Sequence, residues 1–396
     1  MSNSSLVYVA FDRCPAPKGA STHISAFVAG LATTFDTVDL VTVSGSRTSN
    51  VGALSQSIPG VQHAELPALG PTLIERVLNF RNQLRLWWKH RKPNVAHVRS
   101  IYEGYPIARD KRRWCDKLVF EVNGLPSIEL KYHYPQVADD RELMQKLMSQ
   151  EQCCLDAADL IVTVSQVNAN HLLKRGVDAN RLVVIPNGVD TTTFAYRPYR
   201  PLGKRELSLL YSGTLSRWQG VHIAIEALAQ YRRERPARLT IVGAGRPDQI
   251  RSLREIASRW GVEQHLQILE PVTQSELAHL HHSSDVVLVP LMPNDRNLIQ
   301  GCCPLKLLEG MASGTPVIAS DMPVTAEIAE NNINALLVRP GSAKAIKDAL
   351  LRLTQETGLS QTLSVNARQR IEERFTWKIA NQRLLDAYNK YVLPLD

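Results

Sequence analysis

The chain has 396 residues, of which 44% are hydrophobic, and its formal net charge is +8. That length suits two domains of about 150–200 residues each, and the composition excludes disordered and collagen-like chains. The longest apolar runs have the length of a strand, which excludes a membrane-spanning helix of about 20 residues. The six cysteines form no Cys-x-x-Cys pair and the first residues lack a signal-peptide pattern, so we expect a cytoplasmic protein with reduced thiols.

Short apolar segments and helical patterns alternate along the first half of the chain. Nearly continuous apolar runs of about four to six residues, separated by helices, are typical of a parallel sheet that is covered on both faces. Strands are predicted at residues 6–10, 38–43, 95–98, 118–122, 160–164 and 182–185, with a first helix over 22–31.

The alternation stops at residues 196–204, where prolines and a glycine without an apolar period indicate an interdomain linker. A second series follows, and together the two predict an α/β fold with two Rossmann-like doubly wound domains, 1–195 and 205–376, facing across a cleft. Residues 377–396 have the amphipathic spacing of a final helix. The second set of strands is predicted at 207–211, 239–242, 266–269, 286–289, 317–319 and 335–338, with helices over 221–231 and 275–281.

The strand-to-helix junctions are the candidate binding sites, because ligands of doubly wound sheets bind beyond the carboxyl ends of the strands. Glycines and small residues there allow the backbone to approach a phosphate, although each such loop taken singly is also an ordinary turn. An arginine in the second of these loops is suited to neutralise a diphosphate. The residues concerned are Gly19 and Ala20 after the first strand, and Gly213, Thr214, Arg217 and Gly243 in the second series.

The strongest junction leads into a short helix that begins near Pro304. Proline suits the first helical position because it has no N–H to leave unpaired, and the free N–H groups of a helix start attract an anion. Cys303, Pro304 and Leu305 are therefore candidate donor-binding residues. Lys306 and Glu309 share one face of this helix at i, i+3 spacing, which is also the spacing of an exposed ion pair. Because the helix leads directly into a buried strand, we expect this face to line a ligand site, with the carboxylate accepting both ribose hydroxyls of a nucleotide.

A metal site is a weaker alternative at the end of a predicted helix. His279, His281, His282 and Asp285 cluster there, and His281 and Asp285 have i, i+4 spacing. No complete ligand spacing is present, however, and a capping box opens this helix. We therefore predict no metal ligands.

Beyond these single features, the chain resembles the retaining glycosyltransferase family 4, whose members have the two-domain GT-B fold. The matching motifs run in the family's order over nearly the whole chain. They comprise the Gly19 loop, Ile-Pro-Asn-Gly-Val-Asp at 185–190, the loop at 213–220, Val-Gly-Ala-Gly at 242–245, and Leu-Glu-x-Met-Ala-x-Gly-x-Pro-Val-Ile-Ala-Ser-Asp at 308–321.

The resemblance implies a retaining transferase of the hexosyltransferase type (EC 2.4) that moves a sugar from an NDP-sugar to an acceptor hydroxyl in polysaccharide or glycolipid assembly. The second domain would bind the sugar nucleotide, with Glu309 on the ribose, and the first domain would bind the acceptor. The final helix would pack back on the first domain. Such enzymes usually need no metal or other cofactor, because helix starts and basic side chains stabilise the leaving diphosphate.

The chain departs from the family pattern at its usual charged positions. The glutamate expected eight residues before Glu309 is Gly301, and a common arginine and lysine pair falls on Thr214 and Gln219. In the first domain, Asn123 stands where a histidine is often found.

We expect other cations to replace the missing ones. Lys306 and Arg217 are the first candidates, and Arg296 is the third. With Asn123, Lys306 and Arg217 form the predicted catalytic set.

Two other functions stay open on the sequence. A sugar-nucleotide 2-epimerase shares this architecture, but no acid and base pair for C2 chemistry is evident. A catalytically silent partner in a polysaccharide-assembly complex would fit the lost charges.

Much of the positive charge lies between residues 76 and 117. Within it, residues 73–92 are predicted to form a helix with an inward apolar stripe and a cationic edge, which suits contact with the anionic inner face of a membrane or a plain solvated surface. We expect a carbohydrate or lipid-linked acceptor and no nucleic acid. The stripe is Leu73, Val77, Phe80, Leu84 and Trp87, and the edge is Arg76, Arg81, Arg85, Lys89 and Lys92.

Overall fold

The computed structural model describes residues 4–44, 58–198 and 205–393. The chain divides into two compact units, Met1–Pro186 with Ala380–Asp396, and Asn187–Ile379. The predicted boundary after residue 195 is therefore too late. The reason is that Val189 pairs with Thr376 in the second unit. Most of the predicted linker, residues 199–204, lies outside the described residues.

Among the described residues, the first unit contains a parallel sheet of seven strands in the order β3-β2-β1-β4-β5-β6-β7. Its central strands are buried because helices cover both faces, as the apolar runs predict. Six of these strands were expected, and β3 was not. The strands are β1 Ser5–Val9, β2 Thr37–Val43, β3 Val61–Leu66, β4 Val95–Val98, β5 Lys117–Val122, β6 Leu160–Thr163 and β7 Leu182–Val184.

Helices connect these strands in the doubly wound manner. The first helix begins at Gly19, earlier than the expected Thr22, because Lys18 has extended dihedral angles and is the N-cap residue. The helices are α1 Gly19–Leu31, α2 Leu73–Trp88, α3 Ile101–Arg109, α4 Lys111–Trp114, α5 Pro126–His133, α6 Arg141–Ala157 and α7 Gln166–Lys174.

Helix α2 differs in detail from the expected 73–92 segment. It ends at Trp88, with Lys89 as the C-cap residue. Trp88 is buried where Trp87 was expected, while Trp87 stays partly exposed. Arg81 is no part of an outward cationic edge, because its Nε donates to the carbonyl of Tyr102 at 2.6 Å.

The second unit contains, within the described residues, a parallel sheet of six strands in the order β10-β9-β8-β11-β12-β13. All six were predicted from the sequence. The strands are β8 Leu207–Ser212, β9 Ala237–Val242, β10 Leu266–Leu269, β11 Val286–Val289, β12 Val317–Ser320 and β13 Leu336–Val338. The helices are α8 Val221–Arg232, α9 Pro247–Arg259, α10 Gln274–Ser283, α11 Leu305–Ser313, α12 Pro323–Ala326, α13 Ala343–Gln355 and α14 Leu359–Arg374. Helix α15, Trp377–Tyr391, follows them and belongs from Ala380 onward to the first unit.

The last helix, α15, returns to the first unit as expected. Asn381 Nδ2 donates to the carbonyl of Ala26 at 3.1 Å. A Cβ at Gly30 would lie 2.6 Å from the Asn381 side chain, so a glycine on α1 allows the two helices to approach. Tyr388 on α15 lies 2.6 Å from Nδ1 of His97 in the first sheet.

Two close approaches bring the loops of the second sheet together at its carboxyl edge. A Cβ at Gly243 would lie 1.9 Å from the Gly213 carbonyl oxygen, and one at Gly220 would lie 1.7 Å from the Pro290 carbonyl oxygen. Both glycines have positive φ, a conformation that other residues rarely adopt. Glycine at these positions therefore lets the loops after β8, β9 and β11 lie against one another.

Candidate functional site

Helix α11 carries Lys306 and Glu309 at the carboxyl edge of the second sheet. It begins at Leu305, one residue later than predicted, because Pro304 has an extended ψ of 109° and is the N-cap residue. Asn187 in the Ile-Pro-Asn-Gly-Val-Asp motif donates to the carbonyl of Cys303 at 2.8 Å. This bond fixes the chain just before the helix start, so the amides around Leu305 have a defined direction.

The ammonium group of Lys306 lies beneath the loop after β8. Its Nζ donates to Tyr211 Oη at 2.9 Å and to Gln219 Oε1 at 2.8 Å. The loop backbone is equally close, since a Cβ at Gly213 would lie 2.8 Å from Nζ. Lys306 is only 7% exposed, and both of its hydrogen-bond partners are neutral.

Glu309 lies on the same face of α11 and is 6% exposed. Among the described residues, it has no hydrogen-bond partner, and it does not form an ion pair with Lys306. Burial lowers the pKa of Lys306 to about 7 and raises the pKa of Glu309 to about 7, although each group opposes the shift of the other. The site thus holds a buried lysine that could bind an anionic ligand group and a buried carboxylate that could accept hydrogen bonds from ligand hydroxyls.

The other predicted phosphate-site residues surround this pair less closely. Thr214 is exposed, and its carbonyl accepts from Tyr211 Oη at 2.6 Å. Arg217 is exposed, and its guanidinium makes no hydrogen bond or ion pair with any described residue. The guanidinium of Arg296 lies 5.3 Å from the centre of the Trp218 ring, and its Nη1 donates to Asn297 Oδ1 at 3.3 Å. Lys306 therefore contacts the loop through its hydrogen bond to Gln219, and Arg296 contacts it through the Trp218 ring.

The histidine cluster near the end of α10 does not form a metal site. Asp285 accepts from the guanidinium of Arg205 and from the Ser208 amide, so it is engaged elsewhere. His281 is fully buried against Phe194, with ring centres 5.5 Å apart. In the described part of the chain, no three His, Cys, Asp or Glu side chains are grouped to hold a metal ion.

In the first unit, a buried carboxylate that sequence reasoning missed organises the carboxyl edge of the sheet. Glu121 on β5 is fully buried and accepts from Tyr8 Oη at 2.7 Å, from His97 Nε2 at 3.0 Å and from Arg99 Nε at 3.1 Å. His23 Nε2 on α1 lies 2.8 Å from Glu121 Oε1. Burial alone would raise the pKa of Glu121, but the charges of His23 and Arg99 hold it well below its usual range.

Asn123, the predicted first-domain catalytic residue, is part of this cluster. Its Nδ2 donates to Glu121 Oε1. Arg99 also donates to Asp12 Oδ2 at 3.2 Å, and Asp12 pairs with Lys18 just before α1. Gly19 and Ala20 are the first residues of α1 itself, so the predicted phosphate loop is in fact a helix start.

A signal for this cluster does exist in the sequence. Glu121 is a charged residue inside the apolar run Leu118–Val122, and His97 interrupts the apolar run of β4 in the same way. Ionisable groups are almost never buried without a partner, so each marks a polar network. The partners themselves come from other elements and have no local signature.

Two family models match the chain and together cover most of both units. Residues 17–193 match the model described as Glycosyltransferase Family 4. Residues 206–356 match the model described as Glycosyl transferases group 1. The matched ranges lie on either side of the predicted linker.

Curated relatives agree with these models. Over 310 residues the chain is 27% identical to the D-inositol 3-phosphate glycosyltransferase of Xylanimonas cellulosilytica, a region that spans 74% of this chain and 71% of that relative. Over 246 residues it is 26% identical to WcaL of Escherichia coli K12, named as a colanic acid biosynthesis glycosyltransferase. That region spans 62% of this chain and 60% of WcaL.

Solved structures share the fold over the whole chain. The sucrose-phosphate synthase of Thermosynechococcus elongatus has a TM-score of 0.80 and 20% identity, covering 98% of each chain. Anabaena HepE, solved in complex with UDP-glucose, has a TM-score of 0.73 and 17% identity, covering 97% of this chain and 99% of its own. These similarities confirm two Rossmann-like domains of the GT-B type.

Proposed function

We propose that this chain, which belongs to the group 1 glycosyl transferases of glycosyltransferase family 4, moves a sugar from a nucleoside diphosphate sugar to an acceptor hydroxyl with retention of configuration. The observation that carries the proposal is the buried pair on α11, Lys306 and Glu309, beside a helix start. A diphosphate would supply the anion that the lysine lacks, and ribose hydroxyls would supply donors for the carboxylate. The UDP-glucose bound by HepE, a protein of the same fold, supports a donor of this class.

The contacts of Lys306 support the proposal that this lysine replaces the family's usual loop cations. Its Nζ lies 2.8 Å from Oε1 of Gln219, the residue that stands at the place of the common lysine. The positive charge therefore reaches the same loop from α11 instead of from the loop itself. Lys306 and the amides before Leu305 would stabilise the departing diphosphate, and Arg217 would add charge from the surface. The diphosphate would take the acceptor's proton, so no side-chain nucleophile is needed.

The donor-binding step can be tested with Glu309. We expect Glu309→Ala to weaken binding of the preferred sugar nucleotide by about 1.5–3 kcal/mol, the range for hydrogen bonds to a charged group. Titration calorimetry against UDP-, GDP- and ADP-sugars measures it. Glu255→Ala, at an exposed position on α9, is the matched control and should bind as the wild type does. Equal affinity of the Glu309 variant would remove the ribose assignment.

The same panel separates the two other functions. Conversion of the sugar nucleotide to its C2 epimer would favour the epimerase, and no binding of any member would favour the silent partner. Release of nucleoside diphosphate favours transfer.

For the acceptor, the solvent face of α2 favours a lipid-linked molecule presented at an anionic membrane. Ile74 and Leu78 are 60% and 57% exposed on this face. On the helical wheel, Arg85 lies between these two residues and Lys89 lies beside Leu78. Large apolar side chains interleaved with cations are typical of a helix that lies on a bilayer surface. Among the described residues, no helix has the length and apolarity required to cross a bilayer. We therefore propose a peripheral contact through α2, made at the inner face of the membrane.

A further inference from the structure

The Glu121 carboxylate divides its hydrogen bonds between its two oxygens. Oε2 accepts from Tyr8 at 2.7 Å and from His97 at 3.0 Å, both of which lie in the interior of the first sheet. Oε1 accepts from Arg99 at 3.1 Å and from Asn123, both of which directly follow strand ends, and it lies 2.8 Å from His23 Nε2. One oxygen therefore faces the core, and the other faces the edge of the sheet where ligands bind.

The interior half of this network has a structural role. Tyr8 stacks on His97, with ring centres 4.4 Å apart, and Nδ1 of His97 lies 2.6 Å from Tyr388 Oη on α15. Because His97 Nε2 donates to the carboxylate, its Nδ1 accepts from the tyrosine hydroxyl. This chain ties the returning helix to the sheet without involving Asn123.

The edge half sets the orientation of one amide. An ionised carboxylate can only accept, so the side of Asn123 that faces Glu121 must be its Nδ2 group. The charges of His23 and Arg99 keep Glu121 ionised. Oδ1 of Asn123 then points away from Glu121, and the side chain is partly exposed just beyond β5. A carbonyl oxygen there can accept a hydrogen bond from a sugar hydroxyl.

We propose that Glu121 is a positioning residue for the transfer reaction, which orients the Asn123 amide so that its Oδ1 accepts a hydrogen bond from a substrate hydroxyl. The inference rests on the proposed function and adds to it the group that recognises the hydroxyl. Asn123 touches the substrate, whereas Glu121 acts through Asn123. Asp12 and Arg99 support the arrangement, because their 3.2 Å contact holds the guanidinium that faces Oε1.

The first test is a double-mutant comparison of steady-state kinetics. Glu121→Gln and Asn123→Ala should each lower kcat/KM by about tenfold or more, and the double variant should be no slower than Asn123→Ala, because residues that act as a unit are not additive. Tyr8→Phe removes a hydrogen bond from the interior oxygen alone. It should lower the melting temperature as Glu121→Gln does but keep kcat/KM within about twofold of the wild type.

A second variant keeps the test decisive if Glu121→Gln does not fold. Asn123→Asp keeps the bonds of Glu121 to Tyr8, His97 and Arg99 but places a second carboxylate beside Glu121. Two carboxylates this close cannot both ionise easily, so the pair shares one proton. We expect its kcat/KM to recover as the pH falls, when the protonated acid can donate to Glu121 and present its other oxygen. The wild type should show no such recovery.

Several outcomes would overturn the inference. One is full activity of Asn123→Ala, and another is a double variant whose fold-loss in kcat/KM is the product of the two single losses. A third is an equal loss of kcat/KM in Tyr8→Phe and Glu121→Gln. The fourth is an Asn123→Asp variant whose kcat/KM does not recover at low pH. A wild-type enzyme that turns over no sugar nucleotide would instead contradict the proposed function, and this inference with it.

Discussion

At the scale of single residues, the proposed role of Lys306 would link donor binding to protonation. Its pKa of about 7 reflects burial, which Glu309 on the same helix partly opposes, and its neutral hydrogen-bond partners offer no counter-charge. An incoming diphosphate adds negative charge beside Nζ and should raise this pKa. A lysine that is mostly neutral at pH 8 would then bind a proton as the nucleotide binds.

We predict that the wild type takes up about one proton per nucleotide bound at pH 8, and less at pH 6, where Lys306 is already protonated. Calorimetry in buffers of different ionisation enthalpy measures this uptake directly. Lys306→Arg is the matched control, since arginine is charged at both pH values and should show little uptake. The same uptake in both proteins would assign the proton to another group.

A second prediction at this scale concerns His281. Both ring nitrogens are buried and have no hydrogen-bond partner within residues 4–44, 58–198 and 205–393, and burial lowers the pKa of this side chain to about 3. Between pH 6.5 and 3 the unfolded chain binds a proton there that the folded chain does not, so stability falls as the pH falls. At pH 5 the loss is about 2 kcal/mol.

His281→Leu should therefore lose less stability between pH 7.5 and pH 5 than the wild type. His279→Leu, at an exposed position on the same helix, should behave like the wild type. Denaturant unfolding at both pH values tests this, and identical pH dependence in all three proteins would contradict it.

At the scale of elements, the central strands and most edge strands were predictable, and the edge strand β3 was not. Strands such as β11 and β12 are buried along their whole length, so their sequences are continuous apolar runs. Strand β3 lies at the edge of its sheet, and Gln62 is exposed between the buried Val61 and His63. Its mixed sequence carries no apolar run, which explains why it was missed.

Helix α2 shows the same limit for a helix surface. The 3.6-residue period located its buried stripe to within one residue, because burial selects large apolar side chains there. The helical period does not predict which apolar side chains stay exposed. The exposure of Ile74 and Leu78 was therefore found only in the structure.

That surface leads to a prediction about membrane binding. The wild type should co-sediment with anionic phosphatidylglycerol vesicles more than with neutral phosphatidylcholine vesicles, and salt should weaken the binding. The double variant Arg85→Glu with Lys89→Glu should reduce this binding by about tenfold or more, because each cation contributes about 1 kcal/mol. The double variant Ile74→Ser with Leu78→Ser should also reduce it by about tenfold or more, because binding strength scales with the apolar area that enters the bilayer.

The control for α2 is Val365→Ser, which alters a 48% exposed apolar residue of the second unit and should leave binding unchanged. Equal binding to neutral and anionic vesicles would leave α2 as a structural helix and favour a soluble acceptor.

At the scale of the whole molecule, the fold and the chemistry class were predictable because the family motifs keep their order along the chain. The geometry of the site was not, because it joins residues far apart in the sequence. Lys306 meets Tyr211 and Gln219 at separations of 95 and 87 residues. Glu121 meets Tyr8 at a separation of 113. The sequence motif around residues 304–321 is enough to pick out Lys306 and Glu309 as site residues. Their surroundings, such as Tyr211 and Gln219 beside Lys306, are seen only in the folded structure.

The cationic site also predicts how the whole reaction depends on metal ions. In the proposed function, Lys306 and the start of α11 would supply the positive charge that a divalent cation would otherwise provide to the diphosphate. We expect full activity in excess EDTA and no gain from added Mg²⁺ or Mn²⁺. Loss of activity in EDTA that either ion restores would overturn metal independence.

The central claim is that the chain transfers a sugar from a nucleoside diphosphate sugar with retention, and the most direct measurement is a proton NMR time course of that reaction. The purified protein is incubated with UDP-, GDP- and ADP-sugars, with and without a carbohydrate acceptor. We predict that one donor releases its nucleoside diphosphate and that the first-formed product keeps the anomeric configuration of the donor. A product of inverted configuration, an epimerised sugar nucleotide, or no turnover of any donor would contradict the account.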